Sequence, residues 1–350
     1  MQTVKLGDVE VGSGHTPYII AEVGSNHNGD MNLCGDLIDA AAEAGANAVK
    51  FQSWTDKSLI AEEEYESNTE YSDKKKHFGS LREMVTAYQL TSDQHMQAHA
   101  RCVEQGIAFC STPFSHHEVD LLDSLDVPFF KIASMDVTHL PLLRYAARKR
   151  RPVVISTGMA TMGEVEQAVD AVRAEGNDQI VLLHCISIYP PDYETIHLRN
   201  METLQRAFDC PVGFSDHTLG TAIPLAAIAL GACIIEKHFT LDQDMAGWDH
   251  AISANPEQMQ TIVREGKSII KALGSGRRIV SDAEMEKRKK FRRSLVARQA
   301  LSKGRVLSES DFDAKRPGTG VAPNEVQYIV GRTLAADLAE DQVLRWSHLL

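Results

Sequence analysis

Eight short apolar segments recur along this 350-residue chain, and a polar cluster follows each one. Such segments are typical of strands that are buried on both faces of a parallel sheet. Stretches with helical periodicity lie between them, so strand and helix alternate. This alternation predicts a (β/α)8 TIM barrel, with a doubly wound open sheet as the alternative. The predicted strands are Tyr18–Val23, Ala48–Phe51, Ile107–Cys110, Phe129–Ala133, Val153–Ile155, Ile180–Leu183, Val212–Phe214 and Ile234–Ile235.

The sequence changes character after the predicted barrel. Asn255–Leu273 predicts a last amphipathic helix, and the chain then becomes polar. From Ser294 onward, short strand-like segments alternate with Gly-rich turns. We predict a TIM-barrel domain over 1–280, a linker over 281–293 and a small β-rich domain over 294–350. The basic run KRKKFRR in this linker is interpreted as a solvated hinge.

Some local features can be predicted outside the strand pattern. Thr3–Leu6 and Val9–Val11 flank a Gly-Asp turn and predict a hairpin. Asp30 is predicted to cap the first barrel helix, and Ser92 to cap the helix over 91–105. The polar stretch Thr55–His77 is too long for an ordinary connection, so we expect a lid or a partner-facing loop.

Bulk properties exclude several classes of protein. The formal net charge is −12, which argues against a nucleic-acid partner. No apolar stretch is long enough to span a bilayer, and the first residues lack the apolar core of a signal peptide. The six cysteines form no CxxC pair and are interpreted as small buried hydrophobes. We therefore expect a cytoplasmic protein without a membrane partner.

Two histidines, His217 and His238, lie just beyond the last two predicted strands. Because the carboxyl ends of neighbouring parallel strands meet at one edge, both imidazoles should reach the same site. They predict a divalent metal site or an acid–base pair, and the alternative is two unrelated histidines that bond loop backbone. Imidazole ligands completed by oxygen from substrate or water fit Mn2+ better than structural zinc, with Mg2+ or Co2+ as further possibilities.

Lysines and hydroxyl groups are predicted at the same edge of the barrel. Lys50 and Lys131 interrupt apolar strands, where an unpaired ammonium group is costly. Strand alternation points Lys50 away from its neighbours Val49 and Phe51, into the barrel. We interpret these lysines as ligands of a phosphate or carboxylate, and the alternative for Lys50 is a buried ion pair with Glu22.

Eight ordered motifs cover the predicted barrel: IAEVGSNHNGD, AGANAVKFQ, STPFS, FFKIAS, ISTGMAT, LLHCISIYP, GFSDHTLG and EKHFTLD. With them the chain resembles the sialic acid synthase (N-acetylneuraminate synthase) family. The tail, which contains KRPGTG, resembles the antifreeze-like (SAF) domain of that family. The resemblance implies a TIM-barrel enzyme that condenses phosphoenolpyruvate with an N-acylated hexose and water. The products would be phosphate and a nine-carbon 2-keto-3-deoxy sugar acid of the N-acetylneuraminate type.

The resemblance also implies a role for each candidate residue. Glu22 and Asp136 would handle protons and position water, while His217 and His238 would hold Mn2+ and take part in catalysis. Phosphoenolpyruvate would be bound by Lys50, Ser111, Thr112, Lys131, Ser134, Ser156, Ser187 and Ser215. The sugar would contact Tyr189, Asp249 and Arg316. Arg316 lies in the SAF domain, which would be exchanged between the subunits of a homodimer.

Two positions depart from the family pattern. Ser187 stands where some members carry Asn, and Trp248 stands where others carry Pro, beside the implied sugar contact Asp249. Trp248 therefore bears on which sugar is used: N-acetylmannosamine, mannose, or the modified sugars that lead to legionaminic or pseudaminic acid. Two other readings are a Schiff-base aldolase with Lys131 as nucleophile and a non-catalytic protein whose tail binds a polysaccharide.

Overall fold

The computed structural model describes residues 3–72 and 77–350. The chain divides into two compact units, Met1–Gly274 and Ser275–Leu350. The first unit begins with the predicted hairpin, in which β1 (Val4–Leu6) pairs antiparallel with β2 (Val9–Val11).

The rest of the first unit alternates strands and helices. In chain order its elements are β3 (Tyr18–Gly24), α1 (Met31–Glu43), β4 (Ala48–Ser53), α2 (Glu62–Ser67), β5 (Tyr71–Ser72), β6 (His77–Gly79), α3 (Leu81–Tyr88), α4 (Ser92–Gln105), β7 (Ala108–Pro113), α5 (His116–Ser124), β8 (Phe130–Ile132), α6 (Leu140–Arg148), β9 (Val153–Ser156), α7 (Met162–Ala174), β10 (Ile180–Cys185), α8 (Tyr193–Ile196), α9 (Asn200–Phe208), β11 (Val212–Asp216), α10 (Ala222–Ala229), β12 (Ile234–His238) and α11 (Pro256–Leu273).

Eight of the described strands form one parallel sheet, in the order β7-β4-β3-β12-β11-β10-β9-β8. The two end strands, β7 and β8, lie beside each other, so the sheet is a nearly closed barrel. The predicted (β/α)8 TIM barrel is therefore confirmed, and the open doubly wound sheet is wrong. The predicted strands were recovered with shifts of a few residues at their ends.

Alternate side chains of the barrel strands enter two different layers. The outward ones, such as Val49 and Ile235, pack against the helices in the main hydrophobic core. The inward ones form a second core in the amino-terminal half of the barrel, for example Ile20, Val181 and Ile234. Hairpin residues such as Val4 belong to this inner core and close the bottom of the barrel. Only the carboxyl-terminal half is left for polar side chains.

Several helices begin with a side-chain cap. Asp30 caps α1 as predicted, since its side chain accepts a hydrogen bond from the backbone N–H of Asn32. The predicted cap of α4 was wrong by one residue: Thr91, and not Ser92, accepts from the N–H of Gln94 and forms a capping box with it.

The long stretch after β4 is partly folded. It contains α2 and the antiparallel pair β5–β6, and α3 follows. Tyr65, in α2, is buried with Trp54, Met84 and Tyr88 in a separate hydrophobic cluster. Residues 73–76 of the predicted Thr55–His77 insertion lie outside the described residues.

The second unit is small and rich in extended segments, as predicted. It begins with α12 (Asp282–Phe291), which occupies most of the stretch 281–293 that was expected to be a linker. β13 (Ser294–Ala297) then pairs antiparallel with β14 (Phe312–Lys315). Its own core includes Leu295, Leu301, Phe312, Val321, Leu334 and Leu344.

No helix among the described residues combines the length and the apolar character needed to cross a membrane.

Gly213 allows two strands to pack closely inside the barrel. A Cβ atom at this position of β11 would lie 2.7 Å from Leu183 Cδ2 and 2.6 Å from the carbonyl oxygen of Ile234. We expect Gly213→Ala to lower the free energy of unfolding by about 1–3 kcal/mol, because the backbone of β12 must move. Urea unfolding measures this change.

Gly35 provides the control for this prediction. It lies within α1, and a Cβ there would meet no atom within 4 Å. Gly35→Ala should raise the free energy of unfolding by about 0.5–1 kcal/mol through helix propensity. Equal effects of the two substitutions would contradict the packing assigned to Gly213.

Candidate active site

A network of buried charges lies at the carboxyl end of the barrel. Lys50 Nζ is 2.9 Å from Glu22 Oε2 and 3.8 Å from Glu236 Oε2, and Lys131 Nζ is 3.4 Å from Glu236 Oε1. All four side chains are less than a tenth exposed. The ion pair expected between Lys50 and Glu22 is thus present, as part of a larger cluster with two ammonium and two carboxyl groups.

Neutral side chains complete the hydrogen bonds of this cluster. Thr112 Oγ1 accepts from Lys50 at 3.1 Å, and Gln52 Nε2 donates to Glu22 Oε1 at 2.9 Å. Ser215 Oγ donates to Glu236 Oε1 at 2.9 Å. Because low polarity strengthens each of these bonds and penalises an unpaired charge, the lysines are held in place at the floor of the site.

The two carboxyl groups differ in their affinity for a proton. Burial raises the pKa of Glu22 to about 7, and the attraction of Lys50 only partly opposes this effect. Burial also acts on Glu236, but Lys131 and Lys50 outweigh it and lower the pKa of that carboxyl. Glu236 is therefore a fixed negative charge, while Glu22 can gain or lose a proton near neutral pH. Such a division is common where one group acts as an acid or base.

The hydroxyl groups of Ser134 and Ser187 lie against the backbone of Gly158, just after β9, and we call this group the Gly158 pocket. Its N–H donates to Ser134 Oγ at 3.1 Å. A Cβ on Gly158 would lie 2.7 Å from that oxygen and 2.3 Å from Ser187 Oγ. The buried hydroxyl of Ser156, at the end of the same strand, has no hydrogen-bond partner among the described residues. Hydroxyl groups gathered in this way, with a lysine nearby in the barrel, are suited to an anion such as phosphate.

The two histidines predicted from the strand pattern lie side by side. The ring centroids of His217 and His238 are 5.5 Å apart, and both side chains are buried. His217 Nδ1 donates to the carbonyl oxygen of Ile186 at 2.8 Å. Burial acts to lower the pKa of His217, but a hydrogen bond with Cys185 and this backbone bond outweigh it and raise the pKa. Among the residues that the structure describes, His238 Nδ1 has no hydrogen-bond partner, and it lies 3.7 Å from Asp249 Oδ2.

This donor set fits a divalent cation with open coordination positions. Burial lowers the pKa of His238 well below its ordinary value, which keeps the imidazole in the neutral form that binds metals. The described residues contain no cluster of three or more His, Cys, Asp or Glu side chains arranged around a metal position. Water or substrate would have to supply the remaining ligands, as in catalytic metal sites. Mn2+ at this place remains a prediction.

Two side chains predicted to contact the sugar lie beside the histidines. The ring of Tyr189 is centred 4.0 Å from that of His217 and 5.9 Å from that of His238. Burial raises the pKa of Asp249 to about 6, with a smaller opposing effect of His217. Trp248, next in the chain to Asp249, is 38% exposed. A substrate bound at the histidines would meet these groups.

One predicted residue points away from this cluster. Ser111 points to the outer face of β7, where its hydroxyl is 2.6 Å from that of Ser53, which in turn bonds His95 of α4. Strand alternation explains the placement, since the next residue, Thr112, points inward. Asp136 follows β8, and its Oδ1 is 3.7 Å from His139 Nδ1. Burial raises the pKa of Asp136.

Arg316 belongs to the second unit, where its guanidinium group lies 4.9 Å from the centre of the Phe291 ring. Its predicted role in a partner's active site therefore stays a prediction.

Two residues of the cluster were not predicted as site residues. Glu236 contacts both lysines, and its place could have been found from the sequence, because it lies two residues before His238 in the same strand. Cys185 was interpreted as a core residue, yet its Sγ accepts from Ser134 at 3.6 Å and lies beside the Gly158 pocket. Both residues are inward members of their strands.

Comparison with known proteins places this chain in a family. Residues 37–278 match the NeuB family, and residues 292–350 match the SAF domain. The chain is 42% identical to the N,N'-diacetyllegionaminic acid synthase of Legionella pneumophila, over 97% of this chain and 96% of the relative. It is 33% identical to the human N-acetylneuraminate-9-phosphate synthase, over 95% of this chain and 93% of the relative.

A solved structure of a protein with a similar name also has a similar fold. The crystal structure of an N-acetylneuraminic acid synthetase from Leptospira borgpetersenii, in complex with citrate, superimposes with a TM-score of 0.74 at 35% identity. The match covers 82% of this chain and 95% of that chain.

The Gly158 pocket makes a direct prediction about anion binding. In Gly158→Ala the new methyl group would occupy the space between Ser134 and Ser187, so the hydroxyls could no longer converge on an anion. We expect the affinity for inorganic phosphate to fall by about tenfold or more, which corresponds to about 1.4 kcal/mol. Isothermal titration calorimetry measures it. Gly163→Ala is the control, because a Cβ there meets no atom within 4 Å. Similar phosphate affinities in the two variants would contradict the pocket.

The pKa of Glu22 predicts a pH dependence of stability. Its value rises from 4.5 to about 7 on folding, so the folded protein retains a proton that the unfolded chain releases. Stability should therefore fall as pH rises through this window, by about 1–3 kcal/mol, since one pKa unit is worth about 1.4 kcal/mol. Glu22→Gln removes this contribution. Urea unfolding of both proteins between pH 4.5 and 8 tests it, and parallel pH profiles would refute the raised pKa.

Proposed function

The chain belongs to the NeuB family of nonulosonic acid synthases, which confirms the resemblance drawn from its motifs, and we propose that it condenses phosphoenolpyruvate with an N-acylated hexose. Water is the third reactant. The products are a nine-carbon 2-keto-3-deoxy sugar acid and phosphate. The observation that carries the proposal is the meeting of two buried lysines, a hydroxyl-lined pocket and two neighbouring histidines at one end of the barrel.

Phosphoenolpyruvate is assigned to the lysines and the Gly158 pocket. Its phosphate would accept hydrogen bonds from Ser134, Ser187 and the backbone around Gly158, and its carboxylate would lie near Lys50 and Lys131. Two ammonium groups that are already oriented by buried carboxylates need little reorganisation when the anion binds. Thr112, Ser156 and Ser215 stay proposed contacts because they point into the same half of the barrel. Ser111 does not.

The open-chain sugar is assigned to the histidine side of the site. His217 and His238 would hold the divalent cation, Mn2+ in first place, which when bound supplies Lewis-acid polarisation of the aldehyde. Tyr189 and Asp249 flank the histidines and would orient the sugar hydroxyls. The aldehyde carbon would thereby face the carbon 3 atom of phosphoenolpyruvate.

The bond changes follow from this arrangement. The carbon 2–carbon 3 double bond of phosphoenolpyruvate attacks the aldehyde carbon, and the aldehyde oxygen takes up a proton. Water adds to carbon 2 and loses a proton, which leaves a hydroxyl group there. The bond between carbon 2 and the phosphate oxygen then breaks as this hydroxyl gives up its proton to the leaving phosphate, and a ketone forms. Glu22 is assigned as the group that accepts the proton of water, because its pKa lies near neutrality. Glu236 stays ionised and stabilises positive charge that develops at carbon 2. Asp136 would help to position the water.

For the identity of the sugar we propose two candidates. N-acetylmannosamine, which gives N-acetylneuraminate, is one candidate. A diacetylated deoxyhexose that gives legionaminic acid is the second, because relatives named as N,N'-diacetyllegionaminic acid synthases are 42% and 39% identical to this chain. The half-exposed Trp248 lies beside Asp249 and would contact substituents at the far end of either sugar.

The proposal includes a homodimer that exchanges the second unit. Arg316 would then reach the sugar in the partner's barrel, as the family resemblance implies. Its guanidinium is held against Phe291 within the unit, and this contact would present it as a preformed group.

Phosphate release provides the test. Purified protein with Mn2+ and phosphoenolpyruvate should release phosphate only when a suitable sugar is present, and a chelator should abolish the release. The panel contains N-acetylmannosamine, mannose and diacetylated 6-deoxyhexoses, with product masses recorded. Release without any sugar, or trapping of pyruvate on Lys131 by borohydride, would overturn the proposal in favour of a hydrolase or a Schiff-base aldolase.

His238→Ala examines the metal site within this assay. We expect the turnover number to fall by about 100-fold or more, since one of the two imidazole ligands is lost. His117→Ala is the matched control, because His117 is exposed on α5. Unchanged turnover in His238→Ala would remove the cation from the mechanism.

A further inference from the structure

A fully buried ion pair lies on the outer face of the two strands that carry the histidines. Asp216 and Lys237 are register partners in β11 and β12, and Lys237 Nζ is 2.6 Å from Asp216 Oδ2. Their side chains are 0% and 1% exposed. The other outward positions nearby hold Phe214, Ile235 and Phe239, which belong to the apolar layer between barrel and helices. Charged side chains are an exception in this layer.

The pair also closes the turn that follows β11. Lys237 Nζ donates to the carbonyl oxygen of Thr218 at 2.6 Å, and Asp216 Oδ1 accepts from the N–H of Thr218 at 2.9 Å. Both backbone groups of Thr218 are thus bonded to the pair. His217 lies between Asp216 and Thr218, so its backbone has little freedom to rotate.

Each member of the pair directly precedes one of the histidines. Neighbouring residues of a strand point to opposite faces, so the outward Asp216 and Lys237 require an inward His217 and His238. The bond between the two outward side chains also fixes how far one strand end can slide past the other. Any such slide would change the distance between the two imidazoles, which is 5.5 Å between ring centroids.

Stability alone does not account for this ion pair. Burying two charges is expensive, and apolar residues of similar size are often equally or more stabilising in such a place. An apolar pair would provide no directional bonds to Thr218. We propose that the Asp216–Lys237 pair is a positioning clamp, which sets the separation and orientation of His217 and His238 for a divalent cation. The inference rests on the metal site of the proposed function.

The variant Asp216→Leu/Lys237→Met removes both charges together and leaves no unpaired charge in the core. We expect it to fold, as circular dichroism would show, but to bind Mn2+ about tenfold more weakly than the wild type. Electron paramagnetic resonance of free Mn2+ measures this affinity. Phosphoenolpyruvate affinity, from calorimetry without metal, should stay within about twofold, because the pair bonds to Thr218 and not to the side chains of the proposed phosphoenolpyruvate ligands. Asp120→Asn/Lys149→Met, which removes an ion pair between the outer helices, is the control with unchanged Mn2+ affinity.

A second measurement separates the clamp from the metal site itself. Hydrogen exchange in metal-free protein, over a peptide that contains residues 215–220, should be faster in the double variant. A folded double variant with wild-type Mn2+ affinity would contradict the positioning role of the ion pair, but it would not contradict the metal site at the histidines. If the wild type binds no Mn2+, the metal assignment is wrong, and unchanged exchange in the variant would overturn the clamp as well. If the double variant does not fold, Asp216→Asn is measured in the same way, because it removes the charge and retains the size.

Discussion

The two-residue repeat of the strands governs this protein more than any other constraint. In a nearly closed parallel barrel every second side chain must enter the interior, and the neighbours between them must face the helices. The inward positions are apolar from the hairpin up to Leu183 and Ile234, and charged or hydroxylated above them. The same repeat places Thr112 inside and Ser111 outside, although both carry hydroxyl groups next to each other in the chain. Site and core are therefore two levels of one barrel.

The charge network follows from the closure of the barrel. Lys50 and Lys131 come from strands on different sides of Glu22 and Glu236, and only a ring of strands brings all four together. Because water is excluded, each charge depends on the others, and their pKa values separate. Glu236 is surrounded by both ammonium groups and stays ionised, whereas Glu22 is dominated by its burial. Two chemically equal side chains thus acquire different properties from their positions.

The sequence allowed the strands, the histidine pair and the inward lysines to be predicted, since each depends on a pattern within one strand. It also allowed the family to be recognised from ordered motifs. Features that depend on contacts between different strands or helices were harder to predict from the sequence. The central place of Glu236 needs the register of β12 against β11 and β3. The cap of α4 depends on whether Thr91 or Ser92 adopts the extended backbone, and the two are equally suitable by type. The clustering of Tyr65 with Trp54 requires a folded insertion that composition did not indicate.

Protonation of Glu22 is coupled to anion binding at the site. An anion that binds at Lys50 and Lys131 adds negative charge close to a carboxyl group whose pKa is already near 7. The added charge favours the protonated form of that carboxyl. Binding and proton uptake are then thermodynamically linked, so that each promotes the other to the same extent. Without the anion, Glu22 releases its proton as pH rises; when the anion binds, Glu22 takes up a proton from solvent again. Catalysis would then start with Glu22 protonated, so this carboxyl must first give its proton to the aldehyde oxygen before it can accept one from water.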